Sequence, residues 1–593
     1  MSIPPRLAGQ IRLALAFAVL GVFLCTVRVQ AQDRQAAPEA ATGWMGRTLA
    51  TAKSQMVSAA NPYAVEAGLE ILRAGGSAAD AAIAVQLVLN LVEPQSSGIG
   101  GGAFILHWNA ERKELKTYDG REAAPMAARP DRFLVDGEPR GIEDAIYSGL
   151  SIGVPGTLRA LELLHKQQGK LPWARLFVPA IKLAADGFRV PSRLHLLLRW
   201  YGADSFSPAA RRYFFDQTGS ARPSGYLLRN PEFAATLRAI AGGGADALYT
   251  GPIAEAIVRA VQTAPNHSGD MTLADLAGYR VKEREPLCAT YRDNRICSMG
   301  PPSSGGIAVA QTLKLLEPFD LGTSPTYAMN GKALHLIAEA QKLAFADRDH
   351  YIGDPDFVPA PSGLLESRYL DTRRALIDQG AAMLRPSPGK LPEIGSRTLG
   401  DDETVEQPGT SHFSIVDAGG NMLSMTTTIE TAFGSGVWTG GFLLNNELTD
   451  FAFRPVDRTG RPLANAVGPG KRPRSSMAPI IAFDAEGKPW AALGSVGGSR
   501  IILYVVKALV ALIDWKVDAQ EATALMNFGS RGGPFEIEVD HAQAVWHALK
   551  MKPYGHRVSA DLLTSGTHII LIRKDGTLEG GADPRREGVA RGD

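Results

Sequence analysis

Helices outside and sheets within, an α/β protein, is the architecture this sequence predicts. Three observations carry the expectation. Helical periods with capping residues recur from 60 to 91, 157 to 185, 232 to 262 and from 332 to about Tyr351. Two short alternating runs flank D-A-G-G-N near residue 419, as in a hairpin. Dense strand-like runs then follow to the C-terminus.

The chain has 593 residues, 45% of them apolar, so it can bury a large core; the length alone would suggest several domains but does not exclude a single compact unit. Lys and Arg number 62 against 61 Asp and Glu, which excludes a global electrostatic pull on nucleic acid. No basic stripe is present to supply a local one. Arg6 and Arg12 precede an apolar run at 13 to 27 and the small-residue stretch V-Q-A at 29 to 31. This reads as a secretory signal peptide, 1–31, removed after Ala31, because the apolar run is short for a membrane span. The expected location is therefore periplasmic or secreted, with no stable membrane span after removal; a retained anchor is the alternative.

Taken in order, "AVEAGLEILRAGG" closes a first helix on Gly75-Gly76, and Ser77 caps the helix of "SAADAAIAVQLVLNLVEP". The glycine-rich "SGIGGGAFILHW" that follows leads into a strand. It lacks the Lys-Ser/Thr and the strand-loop-helix order of a phosphate loop, so close backbone packing is its reading. Exported cysteines meet an oxidising compartment. Cys288 and Cys297 flank an Arg-Asp-Asn turn and can face each other across a hairpin, as a disulfide or as two buried thiols. No H-E-x-x-H or Cys-His cluster supplies a metal site, and no cofactor motif is present. Residues 380 to 409 are rich in Pro, Gly and acids and read as a long surface connection. Beyond it come "PIIAFD", "PWAALG", the helical "SRIILYVVKALVALIDW" and a terminal pair around "HAQAVWHAL" and "THIILIRKDG".

The hairpin holds the chemistry. Residues 411 to 416 and 422 to 429 alternate as strands, and opposed positions sum to a constant, so a loop centred on Gly419 sets Thr410 opposite Thr428 with Glu430 just beyond. A threonine hydroxyl needs a base. His412, two residues along the same strand, reads as a packing residue. The base available is the threonine's own α-amine once the Gly409-Thr410 bond is cut, since an amine of pKa about 7.7–8.0 accepts a proton near neutrality and an amide does not. The acidic linker before Thr410 then serves to let a new N-terminus be uncovered.

The stretch from Thr410 to Gly434, with "LLNNELTDF" at 443–451, "KRPRSSMAP" at 471–479, "GSVGGSR" at 494–500, "DGREAAP" at 119–125, "GVPGT" at 153–157, "LAGYRV" at 276–281 and "GPPSSGG" at 300–306, resembles the γ-glutamyltransferase (γ-glutamyl transpeptidase) family. The resemblance spans essentially the whole exported chain. It implies a four-layer αββα N-terminal-nucleophile hydrolase with two stacked antiparallel sheets. It also implies a precursor that cuts itself between Gly409 and Thr410 into a large subunit, 32–409, and a small subunit, 410–593, which together form one intertwined catalytic unit. Thr410 takes the place of the nucleophile and Thr428 that of the hydroxyl that hydrogen-bonds it. Arg121, aided by Ser475 and Ser476, matches the group that grips the donor's α-carboxylate. Glu430, Glu447 and Asp450 match the set that recognises its α-ammonium. Gly497 and Gly498 match the backbone donors to the oxyanion.

The implied reaction transfers a γ-glutamyl group from glutathione or another γ-glutamyl amide to water or to an amino acid or peptide. Leu423 replaces the usual valine, a mild apolar exchange. Two further departures lie near the mouth: the connection from Asp450 to Ser475 has no aromatic after Phe453, leaving Arg458, Arg461 or Arg474 as candidates for the mouth, and "VWTGGFLLNN" is shorter than the matching stretch of some relatives. A glutaryl or cephalosporin acylase of the same superfamily is the enzymatic alternative, disfavoured by three carboxylates with no cation to meet. An exported amino-acid or peptide binder is the non-enzymatic one, and it needs neither the Gly409-Thr410 junction nor the paired threonines.

Overall fold

The computed structural model describes residues 43–359, 361–391, 399–404 and 406–593. The expected signal peptide and Cys25 lie outside the described residues. Two seven-stranded sheets form the centre. One runs, edge to edge, Val589–Gly592, Met56–Ala59, Thr410–Val416, Met422–Thr428, Gly102–Asn109, Glu114–Gly120 and Lys282–Arg284. The other runs Ala50–Ala52, Leu578–Ala582, His568–Ile572, Pro489–Gly494, Ile480–Phe483, Asn294–Ser298 and Leu287–Tyr291. Every pairing in both sheets is antiparallel.

Helices cover both outer faces. Pro62–Arg73, Ala78–Val92 and Thr157–Gln168 share a core with Val57, Ile105, Ile415 and Met425 of the first sheet. Gly305–Leu316, Gly331–Tyr351 and Ile501–Ile513 share a second core with Ile296, Ile481 and Ile570. This is the four-layer αββα arrangement. The Ser77 cap is present, its side chain accepting from Asp80 N, and the carboxylate of Asp80 returns the bond to the Ser77 backbone. The long helix from Gly331 ends at Tyr351, where the sequence periodicity ends it.

The hydroxyl-rich hairpin occupies two adjacent central strands, buried on both faces. Its hydroxyls stitch the layers together. Ser424 Oγ donates to Leu493 O at 3.0 Å and accepts from Ile480 N at 3.1 Å, bridging to the opposite sheet, while Ser411 Oγ donates to Glu93 of the helical layer at 2.8 Å. His412 packs in the same interface, its Nδ1 2.9 Å from Thr426 Oγ1. Burial holds its pKa well below the usual histidine value, so it is a neutral packing residue.

Cys288 and Cys297 lie directly opposite each other in a hairpin and are joined as a disulfide. Two expectations are corrected. The connection ending at residue 409 is no surface segment at its end: Glu406, Pro408 and Gly409 are buried, because they run into the core beside Thr410. Arg474 is not at the mouth. It is fully buried, 3.0 Å from Asp402, whereas Arg458 and Arg461 are more exposed and pair with Glu403 and Asp457.

Candidate active site

Thr410 opens its strand directly opposite Thr428, the register the sequence predicts. The chain is continuous across the Gly409-Thr410 bond. A Cβ on Gly409 would lie 1.9 Å from Glu430 O, so only glycine lets the chain pass this close to the returning strand. Thr428 Oγ1 accepts from Glu430 N at 2.8 Å and donates to Gly409 O at 2.7 Å. The hydroxyl of Thr428 is thus aimed at the carbonyl before Thr410 rather than at the Thr410 hydroxyl. A hydrogen bond there polarises the Gly409 carbonyl. Arg586, which the sequence reading missed, places Nη1 3.4 Å from Thr410 O.

A small, partly open cavity adjoins this junction, lined by Thr410, Thr428, Arg121, Glu430, Glu447, Asp450, Ser475, Ser476 and Gly498, together with Glu406, Gln407, Met477 and Ile501. One cavity therefore collects all but Gly409 and Gly497 of the catalytic, substrate-binding and processing residues that the sequence singled out. Gly497 and Gly498 have φ of 133° and 58°, in a region closed to most side-chain-bearing residues, and start the short turn that leads into the Ile501–Ile513 helix.

The charges are arranged differently from the sequence expectation. Arg121 is only 1% exposed and contacts neither Ser475 nor Ser476 as a hydrogen-bond partner; it pairs with Glu447 and, at 2.6 Å, with Asp450, and donates to the carbonyls of Pro473 and Arg474. A guanidinium buried this deeply needs anionic partners, and the two nearest carboxylates supply them. Glu430 accepts from Gln407 N at 3.0 Å and from Asn446 Nδ2 at 3.1 Å. Asn446 also accepts from Thr431 N at 2.9 Å, so it fixes the turn that carries Glu430. Glu430 itself has φ of 76°, a conformation that strains a residue with a side chain by about 1–3 kcal/mol.

Burial pushes the Glu430 and Glu447 carboxyls well above the usual range, and Asp450 is raised by burial despite Arg121. Glu122, buried behind them, is raised to about 7, first by burial. Four acidic side chains, Glu406, Glu430, Glu447 and Asp450, line the cavity beside Arg121. Raised carboxyl pKa values mean that the folded chain holds protons that the unfolded chain releases. Their contribution is therefore fully favourable below about pH 4.5, the ordinary glutamate value, and is lost as pH rises toward the folded value. We expect Glu430→Gln, in the uncleaved Thr410→Ala chain, to lose Tm relative to its parent as pH is lowered from 8 to 5, because only the parent gains from protonation at this site. Parallel Tm curves would show that Glu430 titrates normally.

One cluster outside the cavity was not legible in the sequence. His335, Glu339 and His556 bring ligand-type atoms within 4.8 Å of one another. Lys342 Nζ, 2.8 Å from Glu339 Oε1, already supplies that carboxylate with a cation.

A family model described as gamma-glutamyltranspeptidase matches residues 64–592. The chain belongs to the gamma-glutamyltranspeptidase family. γ-Glutamyl transfer and hydrolysis on an N-terminal-nucleophile hydrolase fold is the chemistry that this membership carries. The chain is 36% identical over 547 residues to the glutathione hydrolase proenzyme of Escherichia coli (strain K12), covering 90% of this chain and 91% of that one. It is 34% identical over 550 residues to the Acylase ACY 1 proenzyme of Pseudomonas sp. (strain V22), covering 91% and 94%. Among solved structures, the cephalosporin acylase from Bacillus halodurans is similar with a TM-score of 0.80 and 28% identity, over 93% of this chain and 98% of that one. Likeness on this scale thus reaches both hydrolases and acylases within the gamma-glutamyltranspeptidase fold, and the cavity side chains must choose between them. No helix among the described residues is long and apolar enough to cross a membrane.

Proposed function

We propose that this protein is an exported γ-glutamyltransferase and glutathione hydrolase, made as a precursor with a signal peptide at 1–31 and cut between Gly409 and Thr410. The reading rests most on the Thr410-Thr428 pair at one end of an acid-lined cavity, with the Thr428 hydroxyl 2.7 Å from the Gly409 carbonyl oxygen. In maturation Thr410 Oγ1 attacks the Gly409 carbon, and the C–N bond breaks as the nitrogen takes up a proton. The resulting ester is hydrolysed, leaving Gly409 with a carboxylate and Thr410 with a free α-amine.

In turnover that amine is the base for Thr410 Oγ1, which attacks the γ-carbonyl of the donor. Backbone N–H groups at Gly497 and Gly498 receive the negative charge of the tetrahedral oxygen, an interaction that typically contributes about 3–4 kcal/mol. The departing amine takes the proton. Water or the amine of an amino acid or peptide then attacks the γ-glutamyl-Thr410 ester. Arg121 with Ser475 and Ser476 holds the donor's α-carboxylate, and Glu430, Glu447 and Asp450 hold its α-ammonium.

The likeness to acylases supports a second reading, in which the donor is a glutaryl amide with no α-amine. The excess of carboxylates in the cavity favours the first reading, since a glutaryl chain brings them no cation. γ-Glutamyl anilide should be turned over faster than glutaryl anilide by a margin worth about 2–5 kcal/mol. Equal kcat/KM on the two compounds would transfer the assignment to the acylase. Release of the anilide amine with and without glycylglycine separates transfer from hydrolysis.

A further inference from the structure

The segment just before the junction sits in the cavity rather than beside it. Gln407 N–H donates to Glu430 Oε1 at 3.0 Å. The Glu406 carboxylate pairs with Arg348 and lies 3.6 Å from Arg474 Nε. Arg348 Nη2 also donates to Ser476 Oγ at 2.8 Å, so one guanidinium joins Glu406 to a serine of the cavity wall. Main-chain carbonyls of the same two residues cover Gly498: a Cβ there would lie 3.0 Å from Gln407 O and 3.1 Å from Glu406 O. Burial works against the charge on Glu406, but Arg348 and Arg474 together hold its carboxyl below the usual value, so it is present as the anion.

These contacts reproduce the two ends of an amino-acid head group. A carboxylate meets an arginine and a serine, and within the next residue an N–H meets an acid. We propose that Glu406-Gln407 is a built-in mimic of the donor, and that Arg348 is a carboxylate-binding residue of the substrate site, held by Glu406 in the intact chain and turned to the donor's α-carboxylate once cleavage lets the segment withdraw. This inference rests on the γ-glutamyl reading of the cavity and adds Arg348 to it. Arg121 alone is poorly placed for the task, because its nitrogens already serve Glu447, Asp450 and two carbonyls. Arg348 is oriented by Ser304 Oγ, 2.8 Å from its Nε, and by Asp349, which leaves the Nη2 edge shared by Glu406 and Ser476 to face the cavity wall. Cleavage at Gly409 would then have two effects: it frees the amine of Thr410 and it lets a competing ligand go.

The test uses processed enzyme, verified by intact mass, and two donors: γ-glutamyl anilide and 4-aminobutanoyl anilide, which is the same chain without the α-carboxylate. The second is measured as a substrate or as a competitive inhibitor. Arg348→Lys should raise KM for γ-glutamyl anilide about ten-fold or more, because lysine loses the planar fork. The constant for 4-aminobutanoyl anilide should stay within about two-fold of wild type, since that donor has no carboxylate to lose. Equal changes for the two donors would make Arg348 a structural residue, and no change for either would remove it from the site. Wild-type enzyme that turns over neither donor would instead overturn the γ-glutamyl reading itself.

A second measurement needs no variant. The peptide amide acetyl-Glu-Gln-Pro-Gly-NH2 should inhibit processed wild-type enzyme competitively against γ-glutamyl anilide, and acetyl-Gln-Gln-Pro-Gly-NH2 should do so about five-fold or more weakly, since only the first carries a carboxylate. Absence of competition, or equal inhibition by the two peptides, would refute the mimicry.

Discussion

Thr410→Ala should remain a single chain and show no measurable γ-glutamyl turnover, whereas Thr410→Ser should still cut itself. The hydroxyl adjoins the Gly409 carbonyl it is proposed to attack, whose oxygen already accepts from Thr428 Oγ1. Loss of a nucleophile typically lowers kcat by up to about 10⁶-fold, and here the same substitution also withholds the α-amine that serves as base. Intact mass and N-terminal sequencing decide the result. A small subunit that starts at a residue other than Thr410, or efficient cutting of Thr410→Ala, would refute self-processing by this residue. Thr428→Ala should slow cutting without abolishing it, because it removes the polarising hydrogen bond and leaves the nucleophile.

Arg121→Lys should self-process and then turn over γ-glutamyl anilide with kcat/KM lower by about 30-fold to several thousand-fold. The upper end corresponds to about 5 kcal/mol, the cost of losing one partner of a buried, hydrogen-bonded charge pair outright, and lysine, which keeps the charge, should fall toward the lower end. Lysine keeps the charge that Glu447 and Asp450 require, but one ammonium on a flexible stem cannot also reach the carbonyls of Pro473 and Arg474. The maturation step has no free α-carboxylate to hold, so cutting should survive. Arg121→Ala is a different experiment: it strands two buried carboxylates and should destabilise the fold by about 3–5 kcal/mol. Kinetics and Tm on the cleaved lysine variant separate the two roles. Wild-type KM and kcat would remove Arg121 from substrate recognition, and failure to cleave would make it a maturation residue.

Local rules sufficed where the signal was local. Alternation and a glycine turn placed Thr410 against Thr428, because register in a short hairpin follows from its loop. Caps and periodicity marked the helix from Ser77 and the long one ending at Tyr351, because both signals lie within a few residues of the ends they define. Ordered motifs assembled Arg121, Glu430, Glu447, Asp450, Ser475, Ser476 and Gly498, which the fold then brings to one cavity. What the sequence could not determine depends on distant chain segments meeting. Arg348 and Ser476 are 128 positions apart and Arg586 and Thr410 are 176 apart, so no spacing rule links them. The Thr428 hydroxyl turns to the Gly409 carbonyl because the backbone N–H of Glu430 fixes its lone pair, a detail of one turn's geometry. The linker that reads as exposed ends buried because its polar groups find partners in Arg348, Arg474 and Glu430, and composition records polarity without recording who satisfies it.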